Sequence, residues 1–256
     1  MPKISVTIIT LNEAKHIEAC IRSVSFADEV LVIDSGSTDG TVSIAEAAGA
    51  KVIKEAWRGF GAQKQFAVEQ ATNDWVFCLD ADERPSPELT SEIISTMQNP
   101  AYHAYSMPRC NTFLGRWLRY GEGYPDLSLR MFDRRHARWS EDVVHEKVET
   151  AVSVGVLKSD LMHFSEDGIQ AYLTKQNRYT SLQAEQMLAK GKIFSVSRMI
   201  FSPFFRFLKF YIVRRGFRDG VPGLIHILIG CMNSFNKYAK LYELQVKSNK
   251  AKEVNQ

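Results

Sequence analysis

The sequence predicts an α/β fold built on a mostly parallel central sheet. Two observations lead there. Strand-like and helix-like segments alternate with short links from Ile4 to Leu79, the pattern of a parallel sheet joined by crossover helices. Polar clusters follow the first, second and fourth predicted strands, and open α/β sheets bind their ligands beyond those carboxyl ends.

Each element has a local reason. Ile4–Thr10 is a short β-branched run, too short and too quickly followed by Asn12-Glu13 to be the core of a signal peptide. It reads as a buried first strand. Glu13–Ser25 places Ile17, Cys20, Ile21 and Val24 at helical spacing. Glu29–Ile33 is a short β run that ends in the turn cluster Asp34-Ser35-Gly36-Ser37-Thr38-Asp39-Gly40. Thr41–Ala48 is helical, with Gly49 as its cap. Lys51–Lys54 is a third strand, Gly61–Ala71 a helix and Trp75–Leu79 a fourth, fully buried strand. Further on, Leu127–Phe132 is strand-like, and a long helix is expected from about Asp167 to Lys190.

Composition sets the outer bounds. Of 256 residues, 45% are hydrophobic and 24% charged, which excludes disordered and low-complexity chains. The four cysteines form no C-x-x-C pair, so neither a zinc knuckle nor a disulfide framework is indicated, and a reducing cytosolic setting fits. The net charge of +3 conceals a division. Lys190–Gln256 carries 13 Lys and Arg against 3 Asp and Glu, a net of +10. The rest carries 19 against 26, a net of −7. The expected organisation is a catalytic domain over 1–190 and a basic amphipathic helical tail over 191–256.

The acidic clusters carry the chemistry. Asp80-Ala81-Asp82 directly follows an apolar strand. Two carboxylates there suit a hard divalent cation that also touches phosphate oxygens; the plainer alternative is a solvated acidic turn. Asp34 could accept a hydrogen bond from a base N–H or cap the following helix, although Asp39 lies nearer that helix. Lys64 could reach a diphosphate or be an exposed helix lysine. Gly59-Phe60-Gly61 lacks the third glycine of a dinucleotide fingerprint, since Lys64 stands there.

Four segments together resemble the family 2 glycosyltransferases. They are Ser5–Glu13, Val32–Thr41, Gly59–Ala67 and Trp75–Glu83. Ser35 departs from the pattern, since many members carry a second Asp there. Phe113–Trp117, Tyr124–Asp126, Leu129–Phe132, Val144–Glu146 and the segment Lys237–Leu241 further resemble the bacterial lipopolysaccharide core glucosyltransferase subgroup. The resemblance implies a GT-A-like nucleotide-diphospho-sugar transferase fold and inverting transfer from a UDP-sugar to an acceptor hydroxyl. It implies nucleotide-sugar contacts from Thr10, Asn12, Glu13, Asp34, Lys64 and Asp80. Asp82 with Asp80 would hold Mg²⁺ or Mn²⁺ across the diphosphate, and His163 could complete that site or be a half-buried core residue. The base would be Glu146, with Asp142 as the alternative. The implied acceptor is a lipid-linked saccharide, the inner-core heptose of lipopolysaccharide, and the implied donor is UDP-glucose. A polyprenyl-phosphate acceptor and a catalytically silent nucleotide-sugar binder are the competing readings. The Arg/aromatic segment Arg109–Tyr124 suits stacking and hydrogen bonding to sugars, which disfavours the first. Intact Asp80, Asp82 and a candidate base disfavour the second.

The tail has its own pattern. Pro203 suits the first position of a helix. From there Phe204, Phe205, Leu208, Tyr211 and Ile212 share one face, and Arg206, Lys209 and Arg214 the other. Such a helix can lie in the cytosolic surface of the inner membrane or pack on the catalytic domain. The uncharged stretch Gly220–Asn236 is short for a membrane span and contains Pro222, His226 and Asn233. No nucleic-acid-binding motif accompanies the charge, so a peripheral membrane enzyme is expected.

Overall fold

The computed structural model describes residues 1–140, 146–165 and 168–254. The chain forms two compact units: Met1–Cys110 with Asp126–Phe164, and Asn111–Pro125 with Ser165–Gln256. The boundary drawn from charge at residue 190 differs from this partition, because the long helix before it belongs to the second unit.

In the first unit the elements run β1 (Ile4–Thr10), α1 (Ile17–Ser23), β2 (Glu29–Asp34), α2 (Thr41–Ala47), β3 (Lys51–Lys54), α3 (Phe60–Gln70), β4 (Trp75–Asp80), β5 (Glu83–Pro85) and α4 (Pro87–Gln98). β6 (Ala104–Phe113) leads into the second unit, where β7 (Arg116–Trp117) pairs with its end. The first unit then resumes with β8 (Asp126–Asp133), β9 (Ala137–Trp139), β10 (Val148–Thr150), β11 (Val154–Val156) and β12 (Leu161–His163). The sheet order is β3-β2-β1-β4-β8-β6-β12-β5, with β9 and β10 as a separate hairpin. β3, β2, β1 and β4 are parallel, and β8 enters antiparallel beside β4.

β1 has no alternation because both its faces are covered. Val6 and Ile8 join Ile17, Cys20, Phe77 and Ile93 in one core cluster, whereas Ile9 packs with Leu31, Ile33 and Ala67 in another. Phe77 and Phe132 are fully buried; each such side chain contributes about 1.5–3 kcal/mol relative to exposure. The first helix is shorter than its apolar spacing suggests. It starts at Ile17, since the N–H groups of His16 and Ile17 both turn back to the Glu13 carbonyl. The register β1–β4 carries Ile9 opposite Asp80, and β1–β2 carries Thr10 opposite Asp34. All three strand ends therefore meet at one edge.

The second unit is helical: α5 (Ile169–Ala189), α6 (Val196–Phe207), a π-helical segment Leu208–Val213, a 3₁₀ turn Gly216–Asp219 and α7 (Gly220–Val254). α5 and α6 both pack along α7. Lys240 on α7 ties down α5, with Nζ 2.7 Å from the Asn177 carbonyl and 2.8 Å from Ser181 Oγ. Pro203 does not open a helix. It lies inside α6, whose start is set eight residues earlier by the Ser195 hydroxyl accepting from the Arg198 N–H. Arg206 is no free surface cation either, because it pairs with Glu122. Among the described residues, no helix is long and apolar enough to cross a membrane.

His226 sits in this unit's core. Its Nε2 is 3.0 Å from Tyr172 Oη, and Phe113 packs edge-on against its ring. Burial and the nearby Arg206 push the imidazole down to about 4. The unfolded chain takes up that proton below about pH 6.5, while the folded chain resists until about 4. Stability is thus complete above pH 6.5 and lost as pH falls toward 4. Melting temperatures followed by circular dichroism between pH 7 and 4 are expected to show this loss, and His226→Gln to flatten it.

Candidate active site

The site begins with the turn after β2. Asp34 is 1% exposed, and its Oδ2 accepts from the N–H groups of Gly36 and Ser37 at 3.0 Å each. The carboxylate thus shapes its own turn, and Asp39 serves the helix start by accepting from the Thr41 N–H at 3.0 Å. Asp34 Oδ1 and Thr10 Oγ1 are buried without a hydrogen-bond partner among the described residues. Burying an acceptor unpaired costs on the order of 1–3 kcal/mol, so these two atoms mark a place for a donor. Asn12 braces the same turn in a left-handed conformation, φ +55°. Its Oδ1 accepts from the Thr38 N–H at 2.8 Å, and its own N–H donates to Ser37 Oγ at 2.8 Å. The Glu13 N–H donates to Thr41 Oγ1 at 2.8 Å.

The end of β4 is a charged network. Asp80 lies 3.1 Å from Lys64 Nζ and 3.2 Å from Arg130 Nη2. Burial would raise this carboxyl, but Lys64 and Arg130 outweigh it and hold it well below the usual range. Glu83, fully buried, accepts from Arg130 Nη2 at 2.7 Å and from the Asp80 N–H at 3.0 Å. Arg109 Nη1 lies 3.4 Å from Glu83, and its Nη2 lies 2.8 Å from Asp126. Lys64 is not an exposed helix lysine. It is 4% exposed, stands over the Trp139 ring at 4.9 Å, and lies 3.4 Å from Glu146 Oε1.

Glu146 is held against the start of α3. A Cβ on Gly61 would come within 2.2 Å of the Ser140 carbonyl and 3.3 Å of the Glu146 Cβ. Only glycine allows that approach. The other candidate base, Asp142, lies outside the described residues.

Asp82 follows one residue beyond the Asp80 turn. β5 and β12 pair antiparallel with Glu83 opposite His163, and this register sets His163 Nε2 3.0 Å from Asp82 Oδ2. One carboxylate oxygen and one imidazole nitrogen at that separation form an O/N donor pair that suits Mn²⁺, whereas the Asp80 oxygens face Lys64 and Arg130.

The structure therefore brings Thr10, Asn12, Asp34, Lys64, Asp80, Asp82, Glu146 and His163 to the carboxyl edge of the sheet. Arg130, Glu83 and Arg109 were missed as one buried network. The signal was an arginine inside the apolar strand Leu129-Arg130-Met131-Phe132, since a buried guanidinium demands carboxylate partners. Much of the Arg/aromatic segment proves structural: Phe113 packs on Tyr172, and Arg116 Nη2 donates to the Arg218 carbonyl at 2.9 Å.

The fold is an α/β, GT-A-like one with a mostly parallel sheet. Residues 5–151 match the model of glycosyl transferase family 2, and the chain belongs to that family. It is 35% identical to an uncharacterized glycosyltransferase of Rickettsia typhi over 97% of this chain and 89% of that one. It is 31% identical to the lipopolysaccharide core biosynthesis glycosyltransferase LpsC of Rhizobium meliloti, over 95% of this chain and 94% of that one. Among solved structures, mannosyl-3-phosphoglycerate synthase from Rubrobacter xylanophilus covers 76% of this chain and 77% of its own, with a TM-score of 0.52 at 14% identity, a likeness of fold.

Proposed function

We propose that this enzyme moves a hexose, glucose from UDP-glucose, with inversion onto a lipid-linked saccharide, the inner-core heptose of lipopolysaccharide. The observation that carries this reading is the gathering of Asp34, Asp80, Asp82 and Glu146 at one sheet edge, each set by strand register or close packing. Likeness to a lipopolysaccharide core transferase along nearly the whole of both chains supports the acceptor class.

The residues divide the work. Asp34 Oδ1 and Thr10 Oγ1 offer their free acceptor positions to N–H or O–H groups of the nucleoside. Asp82, His163 and Asp80 would hold Mg²⁺ or Mn²⁺, which supplies electrophilic neutralisation of the departing diphosphate. Glu146 takes the proton of the acceptor hydroxyl as that oxygen attacks the anomeric carbon from the face opposite the diphosphate. Lys64, shared between Asp80 and Glu146, keeps the two carboxylates in place and presents a cation to the phosphates. The test is a panel of UDP-sugars offered to extracted lipid acceptors and read by mass spectrometry. A one-hexose increment on lipopolysaccharide core is expected with UDP-glucose. An increment on polyprenyl phosphate alone would overturn the acceptor reading.

The helical unit supports placement on the cytosolic surface of the inner membrane. Phe201, Phe204, Phe205, Ile212, Val213 and Phe217 are each more than half exposed. Exposed Arg198, Lys209, Arg214, Arg215 and Arg218 lie in the same stretch of chain. Aromatics that enter the headgroup region, together with cations worth on the order of 1 kcal/mol each, suit an anionic bilayer. The full-length protein is expected to float with anionic vesicles at low salt and to lose binding in Phe204→Asp/Phe205→Asp. Retention of the wild type in the soluble fraction would refute membrane docking.

A further inference from the structure

A second group of ligating side chains lies at the other end of the same sheet. Asp133 ends β8 opposite Trp75, the first residue of β4, whereas Asp80 is the last. At about 3.3 Å per residue the two carboxylates are roughly 17 Å apart along the strand. Around Asp133 stand His103 and His136. One ligand atom from each of the three residues lies within 4.8 Å of the others. The imidazole rings are 4.0 Å apart between centroids and tilted by 32°. His103 Nδ1 is 3.9 Å from Asp133 Oδ2.

The backbone holds this group together. The Asp133 N–H donates to the His103 carbonyl at 2.8 Å, and the His136 N–H donates to the Asp133 carbonyl at 2.9 Å. Thr150 Oγ1 then donates to the His136 carbonyl at 2.8 Å. The backbones of the three residues are thus fixed relative to one another before any ion arrives, which leaves only the two imidazole side chains to be ordered on binding.

The chemistry is that of a borderline dication. Two imidazoles and one carboxylate with open positions suit Zn²⁺ and its neighbours in the transition series better than Mg²⁺ or Ca²⁺, which prefer all-oxygen shells. Asp133 is 1% exposed and already engaged. Arg135 donates its backbone N–H to Oδ1 at 3.0 Å and its Nη2 to Oδ2 at 2.6 Å. Arg135 Nε also lies 2.9 Å from Oδ1 and 3.2 Å from Oδ2. A metal on Oδ2 would therefore take the place of the longer Nε contact among the carboxylate's roughly four acceptor positions. The carboxylate neutralises part of the charge brought by an ion. The exposed His103 and His136 can adjust their rotamers to shorten the ligand distances. Arg134 and Arg138 add positive charge to the same turn, which tempers affinity and favours a ligand set held by nitrogen bonds over one held by charge. A bound ion would clip the loop before β6 to the β8–β9 turn and so brace the sheet behind the active site.

We infer that His103, Asp133 and His136 form a second metal site, specific for a transition-series dication such as Zn²⁺ and separate from the Asp82–His163 site.

Isothermal titration of the full chain with Zn²⁺ tests it, with thermal melting as the second readout. His103→Gln/His136→Gln is expected to lose one Zn²⁺ equivalent and the rise in melting temperature that Zn²⁺ causes in the wild type. Each single change is expected to weaken binding at that site by at least about tenfold. His163→Gln is expected to retain it. Both histidines are exposed, so the variants should keep the wild-type far-UV spectrum; should the double variant fail to fold, the singles decide. Zn²⁺ binding unchanged by the His103 and His136 substitutions, or loss of all Zn²⁺ binding in His163→Gln, would overturn the inference. So would a wild type that binds Zn²⁺ no more tightly than Mg²⁺.

Discussion

Asp82→Asn is expected to abolish sugar transfer while the fold survives. Asp82 is partly exposed and ends no core packing, so its loss leaves the clusters around Phe77 and Phe132 intact. What disappears is the carboxylate proposed to hold the cation beside His163. The amide binds a hard cation far more weakly than a carboxylate, and the diphosphate would leave without charge neutralisation. A fall in kcat of about a hundred- to a thousandfold is expected, the scale set by losing one electrostatic contributor to a transition state. The measurement is UDP release with Mn²⁺ varied. Added Mn²⁺ should restore little, and calorimetry should show the Mn²⁺-dependent part of UDP binding lost. Wild-type turnover in Asp82→Asn would remove the carboxylate from the metal site.

Glu146→Gln carries the second large effect. The amide fills the same space against Gly61 and still lies beside Lys64, so donor binding should persist. It has no capacity to accept a proton. General-base removal lowers turnover by about a hundred- to ten-thousandfold. UDP affinity is measured separately to prove that the loss lies in the chemical step. If Glu146→Gln keeps near-normal turnover while Asp142→Asn is inactive, the base is Asp142.

What the sequence made legible was local. β1 and β4 declared themselves because buried parallel strands are uninterrupted apolar runs, and both match their expected starts. Asp34 and Asp80 were placed at strand ends for the same reason. Relations between distant residues were harder to read. Lys64 reads from sequence as either a diphosphate contact or an exposed helix lysine, and its neighbours Trp139, Asp80 and Glu146 are visible only in the fold. His163 is 81 residues from Asp82, and only the β5–β12 register makes them neighbours. Pro203 misled because its fixed φ suits a helix start, yet the Ser195 hydroxyl had already begun the helix.

The antiparallel entry of β8 and β12 also bears on when the enzyme becomes active during its own synthesis. β1 to β4 carry Asp34, Lys64 and Asp80 and are complete by residue 80. Arg130, Glu146 and His163 come from later chain. At about 5–20 residues per second, the ribosome needs roughly 4 to 16 s to make the intervening residues. Arg130 and Glu146 join during that interval, and Asp82 lacks its His163 neighbour until the end of it. Under the roles proposed for Asp82, His163 and Glu146, turnover is expected only once the polypeptide has doubled in length from residue 80.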